Sequence, residues 1–185
     1  MRYHNKLWKR FNLETGGNPV TDLWGLNSDN IFMCANGGNS GYFYHFDGSN
    51  WNLLWTNTFP SLSDSAMFGQ VHCVWGLPNE DSIWIAGMWL GKMKNDGSGK
   101  VRLIKSLESY GLNNIRGNKW NNVFFVGGIG AILHYNGSSL HFYDDFYGNG
   151  WWLKSVAVLE NDVYIVGEIY GAQAGIFIHG KLKKN

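Results

Sequence analysis

At 185 residues with a formal net charge of +1, the chain can bury one substantial core, and it lacks the global field that would draw nucleic acid or an anionic membrane. Aromatic residues make up 16% of it and 25 Gly stand against 3 Pro, a composition of many short strands and glycine turns rather than of a helical bundle. No stretch reaches the apolar length of a membrane-spanning helix.

The N-terminus, Met1-Arg2-Tyr3-His4-Asn5-Lys6, leads into no apolar segment, so no signal peptide is expected. The cytoplasm is the expected location, with a secreted mature chain as the alternative. From Leu23 onward one pattern runs through the chain four times. A strand carries a bulky pair closed by glycine (Leu23-Trp24-Gly25, Val74-Trp75-Gly76, Ile115-Arg116-Gly117, and the weaker Val156-Ala157-Val158). An Asx-rich turn follows, where Asp and Asn side chains bond their own backbone. The second strand then opens with a β-branched column, Ile31, Ile83, Val123 and Val163, and an aromatic column, Phe32, Trp84, Phe124 and Tyr164. The third strand carries Tyr44-His45-Phe46, Lys92-Met93-Lys94, Leu133-His134-Tyr135 and Ile178-His179. Asp47-Gly48, Asp96-Gly97 and Asn136-Gly137 are hairpin signals, after which a fourth strand starts near Trp51, Val101 and Leu140.

Trp24, Trp75, Arg116 and Ala157 are spaced by 51, 41 and 41 residues, the period of a propeller blade. The expected architecture is all-β: one domain over 1–185, a small β-propeller of four repeats, with blades near 20–56, 70–107, 111–145 and 152–181. The last copy ends at its third strand, and Tyr3–Phe11 reads like an outer strand. A closing strand at about 3–12 is therefore expected to complete the last blade. A monomer is favoured, with a homodimer as the other way to close a ring.

Val74-Trp75-Gly76, Asp81-Ser82-Ile83-Trp84-Ile85-Ala86-Gly87 and Gly130-Ala131-Ile132-Leu133-His134-Tyr135-Asn136-Gly137 resemble a bacterial propeller repeat of the form V-W-G, D-V-W-x-V-G, I-L-H-Y-D-G. That repeat is distantly similar to Asp-box, sialidase-like propellers and to photosystem-assembly-factor propellers. The resemblance covers nearly the whole chain and implies the fold, while binding modules, adhesins and enzymes alike use such repeats. It also implies a test for sialidase chemistry, which takes three arginines on one carboxylate. Here only Arg2, Arg10, Arg102 and Arg116 exist, and only Arg116 lies on an inner strand.

Other chemistries fare no better. His45, His134 and His179 share one column in different blades, too far apart for a metal site. Gly127-Gly128-Ile129-Gly130 is followed by neither a helix nor Lys-Ser/Thr, so it is a strand connection rather than a phosphate loop. Cys34 and Cys73 read as buried thiols. Lys6, Lys9, Arg10, Lys181, Lys183 and Lys184 read as edge-strand charges that discourage aggregation. No cofactor, metal or catalytic residue is expected. A glycoside hydrolase or lyase using Asp145, Glu168 or His72 is one alternative, and a structural module that oligomerises is another.

What remains is loop aromatics beside polar groups: Phe59, Trp89, Tyr147, Trp151, Trp152 and Tyr170, with Arg116, His72, Asp22 and Lys154 at the channel. Such surfaces stack on sugars or anchor proteins. The expected function is non-catalytic recognition of a carbohydrate or protein partner at the loops or the channel mouth.

Overall fold

The computed structural model describes residues 10–37, 40–58, 70–107 and 110–181. Its strands form four antiparallel meanders. Blade 1 is β1 (Val20–Asn27), β2 (Asn30–Gly37), β3 (Ser40–Phe46) and β4 (Trp51–Thr58). Blade 2 is β5 (Val71–Gly76), β6 (Ser82–Gly87), β7 (Trp89–Lys94) and β8 (Val101–Ser106). Blade 3 is β9 (Leu112–Lys119), β10 (Asn122–Gly127), β11 (Ile132–Tyr135) and β12 (Leu140–Phe142). Blade 4 is β13 (Trp151–Leu159), β14 (Asp162–Ile169) and β15 (Gly175–Lys181). The protein is a small four-bladed β-propeller.

Local chemistry sets the hairpins. The Asp47 carboxylate accepts the N–H groups of Ser49 and Asn50 at 2.9 and 2.8 Å, and the Asn136 amide oxygen accepts those of Ser138 and Ser139 at 3.0 and 2.8 Å. Gly48 and Gly137, at φ +91° and +98°, occupy the left-handed region these turns need. In the recurrent column, an imidazole stacks on the aromatic of its own blade and bonds the residue that opens the second strand. His45 lies 4.7 Å from Phe32 and donates to Asn30 at 2.9 Å; His134 lies 4.3 Å from Phe124 and donates to Asn122 at 3.0 Å. His179 repeats this on Tyr164 and Asp162. The column is structural. Blade 2 puts Lys92 there, its ammonium 4.1 Å from the Trp84 ring.

Blades pack face to face. Phe32, Cys34 and Phe43 meet Val74, Ile83 and Trp89; Trp75, Trp84 and Leu90 meet Ile115, Val123 and Phe125; Phe124, Val126 and Ile132 meet Val156, Val163 and Ile165. Cys34 and Cys73 are free thiols buried in these seams, and burial pushes both well above the usual thiol range. The inner strands stand in succession, β1 beside β5, β5 beside β9 and β9 beside β13. Among the described residues, β13 has no such packing against β1.

The expected closing strand falls largely on residues 3–9, outside the described residues. Arg10–Asn12 carry no strand. Instead the chain from Phe11 to Pro19 crosses blade 1: Phe11 meets the Phe46 ring edge-on at 5.9 Å, and the Tyr44 hydroxyl donates to the Glu14 carbonyl at 2.7 Å. In the first two seams, fourth-strand residues fill the outer part of the core, Val101 and Leu103 in one and Leu140 and Phe142 in the other. In the third, where blade 4 shows three strands, a cavity of about 130 Å³ opens beside Tyr143, Phe146 and Ile178.

Candidate functional site

Each inner strand skips one residue of its ladder at the same place. The register shifts lie between Val20 and Asp22, Val71 and Cys73, Leu112 and Asn114, and Leu153 and Ser155. A bulge leaves its extra residue unpaired and re-aims the side chain. The four bulge residues are Thr21, His72, Asn113 and Lys154, one per blade. They stand at the end of the successive inner strands at which those strands begin.

Asn113 links this rim across blades 2, 3 and 4. The Asn113 amide donates to the Leu153 carbonyl at 2.8 Å, which turns its oxygen toward His72 Nδ1 at 3.2 Å. The Gln70 amide meets His72 Nε2 at 2.9 Å. Lys154 pairs with Glu168 at 3.2 Å, and its ammonium lies 5.3 Å from the Trp152 ring. The Thr21 hydroxyl donates to the Cys34 carbonyl at 3.4 Å. Around this polar rim stand exposed apolar groups: Met88 at the tip of the β6–β7 hairpin, Trp152 against Gly128, and Tyr170 in the β14–β15 turn.

One step further along the axis, Arg116 reaches from blade 3 to Asp22 of blade 1, with nitrogens at 3.0 and 3.3 Å from the two carboxylate oxygens. The second oxygen also accepts the Val74 N–H at 3.1 Å, and the guanidinium lies 4.9 Å from the Trp24 ring. The predicted site residues thus divide. His72, Lys154, Trp152 and Tyr170 gather at the rim, while Asp22 and Arg116 tie blades together inside.

Three aromatics need correction or qualification. Trp89 is no loop residue: the β6–β7 hairpin turns on Met88 alone, so Trp89 opens β7 and is buried in the first seam beside Trp55. Tyr147 packs edge-on against Tyr110 and Phe142, and Trp151 packs on Phe146, leaving both half-buried. Phe59 lies outside the described residues. Sequence reasoning missed Thr21, Asn113, Gln70 and Met88. The signal for the first two was present, since intervals of 51 and 41 residues lead from Thr21 to His72 and from His72 to Asn113.

The carboxylates weighed for hydrolysis lie on different elements. Glu168 is paired with Lys154, and Asp145 sits in an exposed 3-10 turn, Asp144–Phe146, on the link to blade 4. Among the described residues, no three His, Cys, Asp or Glu side chains converge as a metal site would require, and no helix is long and apolar enough to cross a membrane.

Burial lowers the pKa of His72, His45 and His134 by penalising the charged ring. A base whose folded pKa lies below its unfolded value of about 6.5 binds fewer protons than the unfolded chain in the interval between them. Stability is therefore fully present above that unfolded value and falls as pH drops through it. The urea midpoint should decline from pH 7 to pH 5, and His134→Gln should flatten that decline; a midpoint constant over this range would refute the assignment.

No family model matches the chain, and no curated protein matches it in sequence. Among solved structures, the crystal structure of the computationally designed Ika4 protein is similar, with a TM-score of 0.57 at 13% identity over 93% of this chain and 96% of that one. A structure described as YCF48 bound to D1 peptide aligns with a TM-score of 0.48 at 16% identity, covering 97% of this chain and 70% of that one. At 13% identity the likeness to the designed protein is one of fold.

Proposed function

We propose that the protein is a non-catalytic module that recognises a protein partner at the rim of its channel. The reading is carried by one observation: exposed Trp152, Met88 and Tyr170 surround polar groups that already satisfy one another. A sugar site needs free, convergent hydrogen-bonding groups to meet hydroxyls. Here His72, Asn113, Lys154 and Glu168 each have a partner, so the surface has apolar reach to offer and few unclaimed polar contacts. Trp, Tyr and Met in a polar surround are the residue types enriched where proteins meet. Methionine adds adaptability of shape.

Arg116 and Asp22 support the rim from within, holding blades 1 and 3 at fixed separation. Trp152 is the anchor, since its ring lies against Gly128 with one part exposed and its neighbour Lys154 supplies a cation beside it.

Affinity capture followed by Trp152→Ala and Met88→Ala variants tests the reading. A stoichiometric partner should be retained by the unaltered chain, and Trp152→Ala should weaken its binding by roughly 30-fold or more, a loss on the order of 2 kcal/mol. The urea midpoint should fall only modestly, because the side chain is partly exposed and lies outside the buried seams. Retention unaffected by both substitutions would refute the rim as the site. Binding to a glycan array, abolished by Trp152→Ala, would replace the protein partner with a carbohydrate.

A further inference from the structure

We propose that two copies of this chain join through the flanks of blades 1 and 4 and close a single eight-bladed ring, blade 4 of each copy packing on blade 1 of the other. Each blade turns one face to the blade that follows it and the other to the blade before. On the following side, third-strand residues Phe43, Leu90 and Ile132 lie opposite second-strand residues Cys34, Ala86 and Val126, and all six are buried. The same register in blade 4 holds Phe177 opposite Val166, which are 65% and 45% exposed. Tyr164, in the column of Phe32, Trp84 and Phe124, is likewise the one member left half-open.

The other flank shows the complementary defect. Just before their bulges the inner strands carry Val71, Leu112 and Leu153, and three residues on they carry Val74, Ile115 and Val156, every one buried against the preceding blade. Their counterparts in blade 1, Val20 and Leu23, are 53% and 50% exposed. Isolated apolar residues on a surface are ordinary. Four at the positions that three seams bury are two halves of a fourth seam, facing away from each other.

Self-closure would set β13 beside β1, as every other pair of successive inner strands is set, and the chain does not do so. Bringing them together would require all three existing seams to rotate, and close-packed cores resist such distortion. A second copy presents the missing flank at each break and leaves those seams alone. A two-fold axis along the channel then generates two identical seams and no leftover surface. Eight blades is within the usual range of ring sizes. The N-terminal stretch across blade 1 does not obstruct this. Leu107 and Tyr110, and Tyr143 and Phe146, occupy the second and third seams in the same way on the links into blades 3 and 4.

Size-exclusion chromatography with light scattering on the 185-residue chain should give twice the 20.9 kDa of one copy. A particle of 20.9 kDa, or an open series of larger ones, would overturn the proposal. Phe177→Asp and, separately, Leu23→Asp should each reduce the particle to one copy with the far-ultraviolet dichroism of strands retained. A dimer that survives both places its interface elsewhere and likewise overturns it. Should either variant unfold, the unaltered chain supplies the readout. Its thermal midpoint should rise with protein concentration over a roughly hundred-fold range, and a constant midpoint would rule the dimer out. Trp152→Ala, at the rim, should leave the mass unchanged, so failure of the assembly and failure of the binding site are separate results.

Discussion

Trp84→Ala is expected to destabilise the protein by about 4 kcal/mol, the middle of the range for truncating a buried large aromatic. Trp84 is essentially buried at the centre of the second seam, meeting Phe125 and Tyr135 edge-on at 5.0 Å each and Trp120 at 5.9 Å. It also forms one wall of the aromatic surround of Lys92, whose ammonium lies 4.1 Å from Trp84, 4.4 Å from Tyr135 and 4.8 Å from Trp120. Truncation removes ring contacts from three neighbours and a cation–π partner from a fourth, in a seam whose strands leave little room to collapse. Trp84→Phe should cost far less. The indole N–H is buried without a hydrogen-bond partner, and blades 1 and 3 use Phe32 and Phe124 in that column. Urea unfolding curves measure both, and equal losses for the two substitutions would contradict the packing account.

Asp22→Ala should lower stability by about 3 kcal/mol, near the lower end of what breaking a buried pair from one side costs. The Asp22 side chain is only 10% exposed, so its removal leaves the Val74 N–H without its acceptor and the Arg116 guanidinium without its counter-charge, with the Ile115 carbonyl at 2.6 Å still in place. The penalty comes from the groups left behind more than from the attraction lost. Removing the charge as well, in Asp22→Ala with Arg116→Met, should therefore recover about half of the loss. A double variant as weak as the sum of the two singles would show that the residues act independently, and the pair would then not be what ties blades 1 and 3.

Hairpin turns and seams were legible because they depend on short-range periodicity and turn chemistry. Asp47-Gly48 and Asn136-Gly137 mark their hairpins directly, and the expected fourth strands begin at Trp51, Val101 and Leu140, where β4, β8 and β12 begin. The histidine column was readable as structural from its recurrence alone, although its stacking on Phe32, Phe124 and Tyr164 was not. Trp89 misled for a local reason. The other second-to-third-strand links are longer, whereas Met88 turns the chain by itself, and a residue taken for a loop became the first of a buried strand.

The sequence by itself determined that the chain is a series of four similar strand meanders, because a repeat of matching columns can bury its apolar faces only by stacking on its neighbours. Which of those columns find a neighbour was decided by the tertiary structure alone. Phe43 and Phe177 stand at the same register and are both phenylalanine, yet one is sealed in a seam and the other faces outward, since burial depends on what the next blade places opposite. The bulges belong to the same category: they put His72, Asn113 and Lys154 on one rim from residues dozens apart, a convergence set by the stacking of blades about a common axis.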